Sequence, residues 1–107
     1  MAFSKSNLYP LEDQMISSYA NALGYPGRLK IIRKLKLKGP LCVKDIAEEH
    51  PISKESLSDH LKILREVQLV HCVERFPYTF YEVDEERVDE AFKLLSDYFK
   101  SLEDEIE

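Results

Sequence analysis

The sequence predicts a mainly α-helical fold with one two-stranded β-hairpin, in the order α-α-α-α-β-β-α. Three observations lead to this prediction. Apolar residues recur at helical spacing through most of the chain, two β-branched and aromatic segments flank residues 75–78, and a long helical pattern occupies residues 85–106.

Length and composition fit one small globular domain. The 107 residues are 44% hydrophobic and 33% charged, which is typical of soluble domains. No apolar run approaches the roughly 20 residues of a membrane span, and the N-terminal residues lack the apolar stretch of a secretory signal. Cys42 and Cys72 form no paired motif, so we expect free thiols in the cytoplasm.

The net charge of −5 hides an uneven distribution of charge. Residues 84–107 contain ten acidic and three basic side chains, whereas residues 1–83 contain twelve basic and ten acidic ones. Segment 28–38 alone has six basic side chains and no acidic one. The body of the chain is therefore mildly basic, and the overall charge does not exclude a nucleic-acid partner.

The first two helices are predicted from helix-breaking residues and apolar spacing. Residues 11–23 form a helical pattern that Gly24 ends. A second helix is expected to begin near Pro26, a residue suited to a first helical turn, and to end before Gly39. Its expected core stripe comprises Leu29, Ile32 and Leu35, with Ile31 alongside.

A short helix at about 43–49, a turn at 50–52 and a second helix at 54–67 predict a helix-turn-helix. Ser53 is a suitable N-cap for the second helix. An apolar stripe of Leu57, Leu61 and Leu64 would hold that helix against the core. Its polar face would then be displayed, and a DNA major groove about 12 Å wide admits one such helix.

The last elements are a hairpin and a long helix. The segments LVHCVE and TFYEV, separated by residues 75–78, predict two antiparallel strands. Asp84 is expected to cap the helix at 85–106, whose acidic first turn suits the helix dipole.

Several of these motifs resemble the arsenical-repressor-like (ArsR) winged-helix family over about residues 20–100. The resemblance includes the entry to the second helix from Leu23 to Arg28, Leu-Cys-Val at 41–43, and the aromatic strand Phe80-Tyr81. The family's recognition-helix pattern, Ser-x-x-x-apolar-Ser-x-His-Leu-x-x-Leu, is matched by Ser53, Leu57, Ser58, His60, Leu61 and Leu64.

This resemblance implies a homodimeric transcriptional repressor that leaves DNA when an effector binds. Family members commonly sense metals through paired cysteines in the third helix or Asp/His sets in the last helix. This chain has Cys42-Val43-Lys44 at the first position and no histidine in 85–106. A lysine removes a thiolate ligand and adds a repelling charge, so we expect no metal, no other cofactor, and a non-metal effector.

The candidate DNA-contacting residues lie on the recognition helix and at the hairpin tip. Serine and lysine side chains suit phosphates and base edges, and a carboxylate can accept a hydrogen bond from cytosine N4. The alternative is a solvated helix face, with His60 packed inward and Arg75 an exposed loop residue rather than a minor-groove contact. The candidates are Lys54, Ser56, Ser58, Asp59, His60, Lys62 and Arg75.

The last helix carries apolar residues spaced 4, 3, 4, 3 and 4, which is the pattern of a helix-helix seam. This stripe either covers the domain's own core or forms a dimer interface, and we favour the interface. We expect one winged-helix domain over 1–107, with dimerisation elements at about 8–23 and 85–106. The candidate interface residues are Leu11, Met15, Tyr19, Val88, Phe92, Leu95, Phe99, Leu102 and Ile106.

Two functions from different classes stay open. The favoured one is a sequence-specific regulator that binds double-stranded DNA at an inverted repeat and has no membrane partner. The alternative is a winged-helix module that binds protein, which the pI of 5.2 and the acidic Glu55 and Asp59 support. An enzyme is not expected, because the chain has no nucleophile motif, no glycine-rich phosphate loop and no paired catalytic carboxylates.

Overall fold

The computed structural model describes residues 8–106, which form five helices and three strands. Residues 1–7 and 107 lie outside this description. The prediction that the N-terminal residues contain no secretory signal falls mostly on residues 1–7. The elements are α1 (Leu11–Leu23), α2 (Pro26–Lys38), β1 (Leu41–Cys42), α3 (Val43–Ala47), α4 (Lys54–Glu66), β2 (Val70–Arg75), β3 (Tyr78–Val83) and α5 (Glu85–Ile106).

The predicted element order is confirmed, with one addition to the hairpin. β1 joins it to make a three-stranded antiparallel sheet in the order β1-β3-β2. β1 pairs Leu41 with Tyr81 and Cys42 with Phe80. The sequence analysis predicted no strand here, because two residues are too few to show an alternating pattern.

Local side-chain and backbone groups fix where the helices begin and end. Ser53 Oγ accepts a hydrogen bond from Ser56 N–H at 3.2 Å, as predicted for the N-cap of α4. Asp84 Oδ1 accepts from Arg87 N–H at 3.0 Å and caps α5 in the same way. α3 ends at Ala47, two residues earlier than expected, because Glu48 is extended and Glu49 has a φ of 67°.

The core lies between α2, α3, α4 and the inner face of the sheet. Leu57, Leu61 and Leu64 of α4 are fully buried, as predicted. The predicted stripe of α2 is wrong at Leu29, which is 52% exposed. The buried residues of α2 are Ile31, Ile32 and Leu35, and at 3.6 residues per turn Leu29 lies roughly a third of a turn from the centre of their arc.

α5 packs mainly on α1 and contributes little to this core. Ala91 is its one fully buried residue among those described.

Within residues 8–106, no helix has the length and apolar character needed to cross a membrane.

Candidate nucleic-acid interface

α4 is held from one side and exposed on the other. The buried leucine stripe anchors it, while the polar residues of the opposite side reach solvent. Most of the predicted contact residues are therefore exposed on this helix. The exposed members are Lys54, Ser56, Ser58, Asp59 and Lys62.

The first turn of α4 combines free backbone donors with short hydroxyl groups. Ser53 Oγ accepts from the Ser56 backbone and donates to Ser56 Oγ at 3.3 Å. Lys54 is the first residue of the helix and is exposed. The N-terminus of a helix carries partial positive charge, so this turn suits an anion such as a phosphate.

His60 lies differently from the other predicted residues of α4. Its side chain is half-buried against the start of α2, with Nδ1 3.1 Å from Arg28 Nη1. Its ring centroid is 4.8 Å from that of Tyr25. Burial of the ring, and after it the electrostatic effects of Arg28 and His50, lower the pKa of His60, and Asp59 opposes this shift.

Arg28 is a connecting residue that the sequence analysis did not single out. Its Nε donates to Ala22 O at 2.5 Å and its Nη2 to Asn21 O at 3.2 Å. These carbonyls belong to the last turn of α1, where helical carbonyls have no partner within the helix. The available sequence signal was an arginine just after the Gly24 break, within reach of those carbonyls.

The hairpin presents Arg75 at the end of β2, where its side chain is exposed. Phe76 follows in the turn and is 98% exposed. A groove of about 370 Å³ on the outer side of the hairpin is lined by Pro40, Val73, Arg75, Phe80 and Glu82. The strand register places the predicted Arg75 beside Tyr78, so the tip combines a cation with exposed aromatic rings.

The two cysteines lie on opposite faces of the sheet. Cys72 pairs with Tyr81, and Cys42 pairs with the neighbouring residue Phe80, so their side chains alternate across the sheet. The Cys42 thiol donates to Asp45 Oδ2 at 3.3 Å. Across residues 8–106, no three or more His, Cys, Asp or Glu side chains are grouped closely enough to hold a metal ion.

The predicted interface residues of α1 and α5 divide into exposed and internal positions. Leu11, Phe92, Phe99, Leu102 and Ile106 are exposed, and Met15, Val88 and Leu95 are half-buried. Tyr19 differs from the others, because it lies in the chain's own core. Its hydroxyl is 3.4 Å from Arg87 Nη1, so Tyr19 helps to attach α5 to α1 within one chain.

Three comparisons place this arrangement among known proteins. The model of "Bacterial regulatory protein, arsR family" matches residues 25–71, from the N-cap of α2 into β2. An uncharacterised helix-turn-helix transcriptional regulator of Methanocaldococcus jannaschii is 33% identical over 76 residues, covering 71% of this chain and 85% of the relative. The arsenical resistance operon repressor of Bacillus subtilis is 32% identical over 68 residues, covering 64% and 65%.

The solved structures agree on the fold. An ArsR-like transcriptional regulator from Rhodococcus sp. RHA1 superposes with a TM-score of 0.75 at 18% identity, covering 87% of each chain. The relatives are named as transcriptional regulators, which agrees with the expectation of a non-enzyme and does not favour the protein-binding module. The chain belongs to the ArsR family of winged-helix, DNA-binding, repressor-type transcriptional regulators.

Proposed function

We propose that the protein is a homodimeric repressor that binds an inverted-repeat operator in the cytoplasm and leaves it in response to a non-metal effector. The observation that carries this proposal is the presentation of α4, with three buried leucines below and an exposed polar face above. Two such helices related by a dyad would enter successive major grooves, about one helical turn or 10 base pairs apart.

The side chains of α4 suggest separate roles. Lys54, Ser56 and Ser58 would contact phosphates and base edges from the positively polarised end of the helix. Lys62, two turns further along, would meet the phosphate backbone. Asp59 repels phosphate but can accept from cytosine N4, so it would contribute selectivity rather than affinity.

The wing would add a second contact. Arg75 is exposed beside Phe76 at the hairpin tip. An arginine on such a projection can enter a minor groove, where the negative potential is strongest over narrow A·T-rich segments.

The exposed apolar residues of α5, together with Leu11 of α1, support a dimer. Phe92 and Phe99 are 72% and 60% exposed in the single chain. Large aromatic surface on a small domain is usually covered by a partner. A second copy would cover it and set the distance between the two α4 helices.

The contacts of Cys42 support a non-metal effector. Its thiol donates to Asp45, its neighbour Lys44 is exposed, and the α5 helix contains no histidine. We therefore expect low micromolar zinc, cadmium, nickel or arsenite to leave the protein-DNA complex intact. Stoichiometric cadmium binding with a thiolate absorption band and release of DNA would contradict this.

Selection of bound duplexes from a random pool tests the main proposal. We expect enrichment of an inverted repeat whose half-sites are centred about 10 base pairs apart, and affinity that falls steeply with salt. Absence of any enriched sequence, together with salt-independent binding, would contradict the proposal.

A further inference from the structure

One side chain joins three helices at the edge of the proposed DNA-binding surface. Arg28, on α2, donates to two carbonyls of the last turn of α1 and to the ring of His60 on α4. The guanidinium also lies 5.4 Å from the centroid of the Tyr25 ring, which packs against His60. No other described hydrogen bond between side chains joins α2 to α4.

The contact with Arg28 determines the protonation state of His60. A guanidinium has five N–H donors and no acceptor. Nδ1 of His60 must therefore accept, so the ring is neutral and carries its proton on Nε2. Protonation would place a second N–H donor, and a positive charge, against the Arg28 cation.

The groups around His60 disfavour its charged form. Arg28 and Tyr25 face it from the α2 side, His50 from the preceding turn, and Asp59 from α4 itself. Of these, Arg28 and His50 disfavour the charged form, and Asp59 favours it. The ring has little room to move towards α2, because a Cβ at Gly27 would lie 3.3 Å from Nε2.

We propose that Arg28 is a positioning residue for DNA binding, which fixes the recognition helix to the end of α1 by holding a neutral His60. Protonation of His60 then breaks the link and weakens DNA binding. The proposal rests on the proposed role of α4 in reading DNA. Arg28 connects α4 to α1. α1 packs on α5, the helix proposed to form the dimer interface.

The direction of the pH effect separates this proposal from a direct DNA contact. A histidine whose pKa is lowered by folding stabilises the fold above its ordinary pKa, near 6.5, and this stability is lost as pH falls below that value. The positioning role predicts that DNA affinity falls as the pH drops through the pKa of His60 in the free folded protein, which lies below the ordinary value. A His60 that contacts phosphate directly would instead gain affinity when protonated.

Two substitutions of His60 test separately the hydrogen bond accepted by Nδ1 and the positive charge that the ring gains on protonation. In His60→Asn the side-chain oxygen can occupy the position of Nδ1 and accept from Arg28 without titrating. In His60→Gln the amide lies nearer the position of Nε2, so the contact is lost. We expect His60→Asn to bind DNA within about twofold of wild type at pH near 7.5, and His60→Gln to bind roughly fivefold to tenfold more weakly.

The pH series uses wild type and His60→Asn on the same selected duplex. From a pH of about 7.5 to a pH below the pKa that NMR gives for His60 in the free protein, wild type should lose roughly fivefold more affinity than His60→Asn. This difference removes the contributions of His50 and His71, which both proteins share. Equal profiles, or a wild-type affinity that rises on acidification, would overturn the proposal.

Nitrogen-15 NMR of the histidine rings in the free protein tests the contact between Arg28 and His60 without DNA. The spectra should show His60 with its proton on Nε2 and a pKa below the ordinary histidine value. Arg28→Met should raise that pKa, while Arg28→Lys keeps the charge and should raise it less. A proton on Nδ1 in wild type would overturn the proposal. If the NMR result holds but the protein selects no DNA sequence, the proposed function fails and the Arg28 link does not.

Discussion

The apolar stripes of α4 and α5 have the same helical spacing and opposite surroundings. In α4, Leu57, Leu61 and Leu64 are at most 1% exposed. In α5, Phe92 is 72% and Phe99 is 60% exposed. Periodicity therefore shows that a face avoids water, but it does not show whether the chain itself or a partner covers that face.

The difference follows from the neighbours of each helix. α4 packs against α2, α3 and β2, which together enclose its leucines. α5 packs mainly on α1, and Tyr19 and Arg87 join the two near the start of α5. All residues of α5 from Asp97 onward, within the described range, are exposed. Substitutions in the two stripes should therefore change different quantities.

Leu61→Ala should have the largest effect, on folding. Removing a fully buried leucine leaves a cavity and should lower the free energy of unfolding by about 2–5 kcal/mol. Urea unfolding followed by circular dichroism measures this change. Leu37→Ala is the matched control, since Leu37 is 73% exposed on α2 and should cost less than about 0.5 kcal/mol. Similar losses of unfolding free energy in Leu61→Ala and Leu37→Ala would contradict the assignment of Leu61 to the core.

Phe99→Glu should act next most strongly, on association. An unpaired carboxylate inside the proposed interface should weaken dimerisation by about 2–4 kcal/mol and leave the fold of each chain intact. Sedimentation over a range of concentrations measures the dissociation constant. Phe76→Glu, at the exposed hairpin tip, is the control and should leave the dimer unchanged. An unaffected dimer in the Phe99 variant would assign the α5 stripe to some other partner.

Lys54→Ala tests the outer side of α4. It should weaken DNA binding by about 1–3 kcal/mol if Lys54 contacts a base, and by less if it meets only phosphate. Binding to the selected duplex and to a scrambled duplex separates these cases, because only a base contact changes their ratio. Lys100→Ala, on α5, removes an exposed lysine from another surface and should have no effect.

Asp59→Arg should give the smallest change, in the opposite direction. Replacing a phosphate-repelling charge by an attracting one should strengthen binding to all duplexes by about 1 kcal/mol and steepen the salt dependence by roughly one unit. Affinity measured at several salt concentrations gives both values. If neither Lys54→Ala nor Asp59→Arg changes DNA binding while the fold stays intact, this helix does not face DNA.

Much of the fold followed from local sequence signals. The Ser53 cap, the α4 stripe and the limits of α1 and α5 depend on neighbouring residues, and all were predicted. β1 was missed because its strand character comes from pairing with β3, about 40 residues away. Leu29 was misplaced because several leucines and isoleucines of α2 could define its inner side.

The candidate site was predictable only in part, because some of its contacts join residues that are distant in the sequence. Exposure of Asp59 and Lys62 follows from helical positions opposite the leucines, whereas Lys54 is exposed because it is the first residue of the helix. The contact between Arg28 and His60 joins residues 32 positions apart and carries no local pattern. Tyr19 fits the spacing of an interface residue, yet its position in the core depends on how α5 crosses α1.

The acidic outer part of α5 has a consequence for the encounter with DNA. Asp97, Glu103, Asp104 and Glu105 are exposed on a helix that packs on α1 rather than α4, whereas α2 is basic. The molecule is therefore electrically polar along its surface. Within a Debye length of about 8–10 Å, the field of a duplex would turn the acidic helices outward before any contact forms. Orientation during diffusion, and not attraction alone, would then raise the association rate.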